Sequence, residues 1–274
     1  MRFGKRRVTL LLILTVLILF AAYLTLKYVK QSSLNKPESI AYNEFTQSIL
    51  ISNMGNGRIL SMNKKGKMTT FAKGLKAPRG LKTQDSLLWV ADNTKLQAYN
   101  LTTKKLINSV TIEGAKMLND IETDHQGKLY VTDTQANRLF VYDPASGEIQ
   151  SFESELLQAP NGIVYDAPRR QMFIVSFRKA SPILAFNVVT EVFSVFRHTL
   201  YDNLDGIAID ELGRIYFSSW EGECIYMIPQ EQNRFLIWQS NLQSPADIFH
   251  HEATGEILVP LLEKNQIKRF KIDS

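Results

Sequence analysis

The sequence describes an all-β six-bladed β-propeller carried behind one N-terminal apolar helix. Three features of its 274 residues say so. A segment recurs six times, at intervals of 41, 40, 42, 44 and 41 residues; each recurrence holds several strand-length apolar stretches; and positions 8–26 form a 19-residue run without a charge. Units of this length and composition cannot bury a face alone and stack radially instead, which leaves only short sheet edges.

The apolar run comes first in the chain. As a helix, 19 residues cross about 30 Å of hydrocarbon. Arg2, Lys5, Arg6 and Arg7 precede it, and a positive flank stays in the cytoplasm, which puts the body on the far side. The expected division is a cytoplasmic flank at 1–7, a transmembrane signal anchor at 8–26, a linker or ring-closing strand at 27–36 and the propeller at 37–274. The chain is then a single-pass protein of the cell membrane with its propeller on the extracytoplasmic side. A cleaved signal peptide, giving a secreted propeller, is the rival. Ala21-Ala22 keeps it open, although the run is long for one and no A-x-A motif precedes Lys27.

Hydrophobic residues make up 45% of the chain, an ordinary share for a globular body. The formal charge of +5 misleads. Residues 1–36 hold seven Lys and Arg and no acid, and without them 25 basic residues face 27 acidic ones. Such a body has no basic stripe for a phosphate backbone, which argues against nucleic acid as a partner. A single cysteine, Cys224, excludes an intramolecular disulfide and a cysteine zinc site, and reads as a small buried hydrophobe.

The six units start at Pro37-Glu38-Ser39-Ile40, Pro78-Arg79-Gly80-Leu81, Leu118-Asn119-Asp120-Ile121, Pro160-Asn161-Gly162-Ile163, Leu204-Asp205-Gly206-Ile207 and Pro245-Ala246-Asp247-Ile248. Each start opens a first strand, often closed by aspartate (Asp124, Asp166, Asp210), and a turn follows, commonly with glycine (Gly127, Gly213, Gly255). Second strands are expected at 48–52, 87–91, 128–132, 172–176, 214–218 and 256–260. Third strands are expected at 58–62, 95–100, 138–142, 183–187, 224–228 and 266–272, and fourth strands at 68–71, 106–111, 148–152, 192–196 and 234–238. A β-sandwich also uses short strands, but it gives no reason for six units in register. The sixth unit stops after three strands. Either residues 27–34 supply the missing outer strand and seat the propeller against the bilayer, or the blade stays three-stranded and residues 31–36 are a tether.

The second position of each start reads Glu38, Arg79, Asn119, Asn161, Asp205 and Ala246. First strands line a propeller's central channel, so these positions face one another around the axis. Four of the six carry oxygen donors of the kind a hard cation such as Ca²⁺ takes. A polar, water-filled mouth built from Asn-Gly and Asp-Gly turns is the alternative.

Pro37-Glu38-Ser39, Leu118-Asn119-Asp120, Pro160-Asn161-Gly162 and Leu204-Asp205-Gly206 resemble the metal-ligand motifs of the regucalcin/gluconolactonase (senescence-marker-protein) family, six-bladed calcium-dependent propellers related to diisopropylfluorophosphatase and the paraoxonases. The likeness covers residues 37–273. It implies a divalent cation, Ca²⁺ first with Mg²⁺, Mn²⁺ or Zn²⁺ as substitutes, held by Glu38, Asn119, Asn161 and Asp205. It also implies hydrolysis of a lactone or small ester with Asp205 as general base or nucleophile; composition alone does not separate Asp205 from Glu38. A membrane anchor is unlike the family's cytosolic members.

The loops between second and third strands share the face of this column. They put Phe177, Arg178, Trp220 and Glu221 there, beside Arg79, Asp120 and Asp133. The substrate-contact candidates are Arg79, Asp120, Phe177 and Trp220. Arg79 could hold a carboxylate or pair with a neighbouring blade, Trp220 could stack on substrate or pack a blade, and Asp120 and Asp247 could support the ligands from behind. Of His250-His251, alternation sends only one to the channel. No G-x-S-x-G, P-loop, H-E-x-x-H or Rossmann fingerprint is present. A non-catalytic propeller that binds a protein or small ligand around a structural cation is the second reading of the same column.

Overall fold

Strands form where the apolar stretches place them, and each pairs antiparallel with its neighbour in sequence. The computed structural model of the chain describes residues 12–23, 33–230 and 234–272. Blade one is β1 (Pro37–Asn43), β2 (Ser48–Asn53), β3 (Arg58–Met62) and β4 (Met68–Lys73); blade two is β5 (Pro78–Gln84), β6 (Leu87–Asp92), β7 (Lys95–Asn100) and β8 (Leu106–Thr111). Blade three is β9 (Leu118–Thr123), β10 (Leu129–Asp133), β11 (Arg138–Tyr142) and β12 (Ile149–Glu153); blade four is β13 (Pro160–Asp166), β14 (Gln171–Ser176), β15 (Ile183–Asn187) and β16 (Val192–Arg197). Blade five is β17 (Leu204–Ile209), β18 (Ile215–Ser219), β19 (Cys224–Ile228) and β20 (Leu236–Gln239). Blade six has three strands among the described residues, β21 (Phe249–His251), β22 (Glu256–Leu261) and β23 (Gln266–Lys271).

The alternation of a strand explains how blades stack. On β6, Leu88 and Val90 join the apolar seam shared with blade one, while Trp89 and Ala91 join the seam shared with blade three. Both faces of the second strand are therefore buried, and it reads as a continuous apolar run. Six such clusters, one per seam, make up the core. Cys224 lies in the seam of blades four and five, buried as expected.

Blade six meets blade one at the thinnest seam. It holds Ile40, Ile49, Ile51, Leu60 and Leu258. Polar contacts reinforce it: Ser39 Oγ donates to Asp247 Oδ2 at 2.6 Å, Lys36 N–H donates to Asn265 Oδ1 at 2.7 Å, and Lys36 pairs with Glu263 at 3.4 Å. Tyr42 and His251 add an edge-on ring contact at 4.4 Å. Of the candidate closing strand at 27–34, residues 27–32 lie outside the described residues. Ser33 and Leu34 are not strand, and Leu34 packs on the seam as a loop residue.

Residues 12–23 form a helix with every side chain exposed. The rest of the expected anchor at 8–26, and the basic flank at 1–7, lie outside the described residues. Among the described residues, no helix is long and apolar enough to cross a membrane.

Candidate functional site

The first strands of blades one to five are irregular at their second and third positions, which carry the candidate ligands. In blade one, Pro37 pairs with Asn53 and Ile40 with Ile51, so Glu38 and Ser39 together oppose Ser52 alone. The same two-against-one bulge sets Arg79 and Gly80 against Ala91, Asn119 and Asp120 against Thr132, Asn161 and Gly162 against Val175, and Asp205 and Gly206 against Ser218. A bulge re-aims the side chains of the strand that carries it. In blades one, three and five the opposing hydroxyl accepts from the bulge amide: Ser39 N–H to Ser52 Oγ at 2.8 Å, Asp120 N–H to Thr132 Oγ1 at 3.1 Å and Gly206 N–H to Ser218 Oγ at 2.8 Å. The hydroxyls then donate onward, Thr132 to the Asn161 carbonyl and Ser218 to the Ala246 carbonyl of the next blade. Blades two, four and six place Ala91, Val175 and Pro260 there instead.

The third position sets how closely the first strands approach. A Cβ on Gly162 would stand 2.4 Å from the Asp205 carbonyl oxygen, and one on Gly206 would stand 2.4 Å from the Ile248 amide nitrogen. Only glycine admits a neighbouring backbone at that distance. Asn161 and Asp205 are thereby held side by side.

Glu38, Asn119, Asn161 and Asp205 each retain 5% of their accessible surface, as equivalent positions around one axis should. Glu38 Oε2 and Asp205 Oδ1 are buried and have no hydrogen-bond partner. Burial pushes the Glu38 carboxyl well above its ordinary range, and the Asp205 and Asp247 charges push it further while Arg79 pulls it back. Burial is also the main cause at Asp205, raised to about 7 with Asp120 adding to it, and at Asp247, raised to about 7 with Asp205 adding to it. The Trp220 indole lies near enough to hold Asp205 down somewhat, yet its Nε1 falls outside hydrogen-bond geometry and is itself without a partner. These carboxyls act on one another across the channel.

The wider set of site candidates divides. Arg79 is half-buried, acts on both Glu38 and Asp205, and donates from Nη1 to the Ala77 carbonyl at 3.3 Å. Phe177 and Trp220 meet edge-to-face at 5.5 Å and form one aromatic wall. Both carboxylate oxygens of Asp120 accept from backbone amides. Its Oδ1 accepts from its own neighbour Ile121 N–H at 2.8 Å and its Oδ2 from Ile163 N–H at 2.9 Å, so it ties blade three to blade four. Asp133 likewise accepts from the amides of Lys116 and Met117 and is spent on its own loop. Asp247 ties blade six to blade one through Ser39. The roles of Ser39, Ser52, Thr132 and Ser218 were missed in sequence; a hydroxyl as the last-but-one residue of β2, β10 and β18 was the available signal.

The donor set fits a hard cation. It consists of two carboxylates, each with an orphaned buried oxygen, and two amides, with a further excess of acid behind them. Among the described residues no three His, Cys, Asp or Glu side chains group so as to hold a metal ion. A cavity of about 560 Å³ lies at the opposite mouth, reached from the far ends of the first strands; it touches Asp120 and Asp247 but neither Phe177 nor Trp220.

The fold is a six-bladed propeller whose first strands carry Glu38, Asn119, Asn161 and Asp205 at equivalent bulge positions. The chain belongs to the family described as SMP-30/Gluconolactonase/LRE-like region, whose model matches residues 36–255. No curated protein sequence matches it. Among solved structures it is similar to a gluconolactonase of Xanthomonas campestris, with a TM-score of 0.73 at 13% identity, covering 89% of this chain and 88% of that one. It is also similar to a virginiamycin B lyase from Staphylococcus aureus (TM-score 0.65, 15% identity, 88% and 85% covered). A chain of a nidogen/laminin complex is a third match (0.66, 16% identity, 79% and 91% covered). At these identities the likeness is one of fold.

Proposed function

We propose that the chain is a divalent-cation-dependent hydrolase that opens a lactone or small ester at the carboxylate–amide mouth. The observation that carries this reading is the pair of buried carboxylate oxygens, Glu38 Oε2 and Asp205 Oδ1, left without partners on the channel wall of a gluconolactonase-like family member. Such atoms are costly unless a ligand completes them. Glu38, Asn119, Asn161 and Asp205 would hold the ion, Ca²⁺ in the first instance. When bound, the ion supplies polarisation of the scissile carbonyl and stabilisation of the oxyanion.

The remaining steps belong to the chain's own residues. Asp205, with a carboxyl raised to about 7 in the cation-free chain, takes the proton of the attacking water as the new C–O bond forms, and returns it to the alkoxide as the ester C–O bond breaks. Arg79 faces the same space and holds an electronegative or anionic part of the substrate. The Phe177–Trp220 wall covers an apolar part and excludes water from that side. Asp120 fixes the spacing of blades three and four, and so of Asn119 and Asn161.

We place the propeller on the outer face of the cell membrane, tethered by the apolar run at 8–26 behind its basic flank. The test of function is a screen of lactones and aryl esters with the full-length chain, with and without chelator and with Ca²⁺, Mg²⁺, Mn²⁺ or Zn²⁺ added back. Turnover that vanishes with chelator and returns with metal supports the assignment. Turnover indifferent to chelator removes it, and a cation-stabilised chain without turnover on any substrate leaves the non-catalytic binding propeller.

A further inference from the structure

The channel has a second mouth, at the turns between first and second strands. The cavity of about 560 Å³ opens there, and a second of about 460 Å³ adjoins it, the two sharing Thr83, Phe249, His250 and Glu252. Their charges are lopsided. The lysine and arginine on the wall of the larger cavity are already engaged, Lys82 with Glu122 and Arg169 with Asp166. The smaller cavity is lined by Glu44, Asp85 and Glu252 and by no lysine or arginine.

His250 supplies an independent observation. Its side chain is only 10% exposed, it lines both cavities, and its Nε2 is buried with no hydrogen-bond partner. Glu211 Oε2 stands 4.0 Å away, beyond hydrogen-bond reach, on a side chain that is 54% exposed and has room to swing. A buried ring nitrogen without a partner is unfavourable, and the gap between these two atoms admits a bridging N–H donor. A charged donor answers the excess of acid, forms the stronger bond to Glu211, and finds the rings of Phe249 and Tyr42 beside it. The exposed carboxylates of Glu44, Asp85, Glu211 and Glu252 repel an anion, and a neutral ligand forgoes the attraction they offer.

We propose that this mouth is a second binding site, separate from the carboxylate–amide ring, for a small aliphatic diamine, with one ammonium between His250 and Glu211 and the other toward Glu44 and Asp85. Isothermal titration of the full-length chain with 1,5-diaminopentane, in the presence of chelator, tests it. The expected result is saturable binding that weakens about tenfold in Glu211→Gln, in His250→Gln and for 1-aminopentane in place of the diamine. Glu211 is exposed, so its variant should melt as the parent does and its loss of binding cannot be misfolding. Binding should persist in Asp205→Asn. Absence of saturable heat, equal binding by Glu211→Gln, or loss of binding in Asp205→Asn would overturn the proposal. So would a lysine-containing peptide that binds far more tightly than the diamine, since the occupant would then be a protein.

Discussion

Two aspartates stand at either end of β17, and the chain treats them oppositely. Asp210, at the turn, accepts from Leu212 N–H at 3.0 Å, Arg214 N–H at 2.9 Å and Tyr216 Oη at 3.2 Å, and pairs with the Arg214 guanidinium at 2.5 Å. Asp205, at the bulge, has a buried oxygen with no partner and a carboxyl raised to about 7. Both are 5% exposed. Burial alone therefore does not separate a carboxylate that builds the fold from one left partly unsatisfied; the count of satisfied oxygens does.

The contrast can be broken by exchanging the two outcomes. Asp205→Asn should lower kcat by about 10²–10⁴ while the chain still folds, because a general base is lost and an uncompensated buried charge with it; steady-state kinetics beside a thermal melt read both. Asp210→Ala should do the reverse, costing about 2–4 kcal/mol of stability by stripping two amides, a phenol and a guanidinium of their acceptor, with kcat of the folded fraction unchanged. Denaturant titration with parallel assays would decide, and a kcat loss in Asp210→Ala matching that of Asp205→Asn would erase the distinction.

The acid at the bulges also predicts a pH dependence. In the folded, cation-free chain Asp205 and Asp247 hold their protons up to about pH 7, whereas the unfolded chain releases them near the ordinary 3.8. The folded state binds more protons across that window, so stability falls as pH rises through it and the whole loss is present above about pH 7, on the order of a few kcal/mol. In chelator, the melting temperature should drop between about pH 5 and pH 8, and Ca²⁺ should restore most of the drop at the higher value. A melt that rises with pH in chelator would contradict the raised carboxyls. The smallest effect belongs to Ser218→Ala. Loss of the hydroxyl that accepts from Gly206 N–H and donates to the Ala246 carbonyl should cost about 1–2 kcal/mol and loosen cation affinity, whereas Val175→Ala, opposite the blade-four bulge, should leave that affinity alone. Calcium titration of both variants compares them.

Much of this was legible in the order of residues. Second and third strands fall within a residue or so of their expected spans, because short apolar runs bounded by turn residues leave little else. The turn aspartates were visible as well, since an Asx turn is a local event. The bulges were not. A bulge is a property of two strands in register, and nothing in Pro-Asn-Gly alone says that Asn161 and Gly162 will face the single residue Val175. The blade tie made by Asp120 was illegible for the same reason: its acceptors serve Ile121 and, 43 positions along, Ile163. Closure of the ring posed a different difficulty. The sequence left open a strand from 27–34 or a three-stranded blade six, and residues 27–32 lie outside the described residues; among the described ones Ser39, Asp247 and Leu258 meet at the seam, residues that carry no mark of that duty. Alternation did place one histidine of the pair at the channel, His250, and sent His251 to Tyr42.

The hydroxyls of Ser52, Thr132 and Ser218 occupy every second blade, and those same blades present Glu38, Asn119 and Asp205. The mouth is thus less a six-part wheel than a tripod, with Asn161 as a fourth prop set between two legs. A stand on three legs finds its footing even when the floor is uneven.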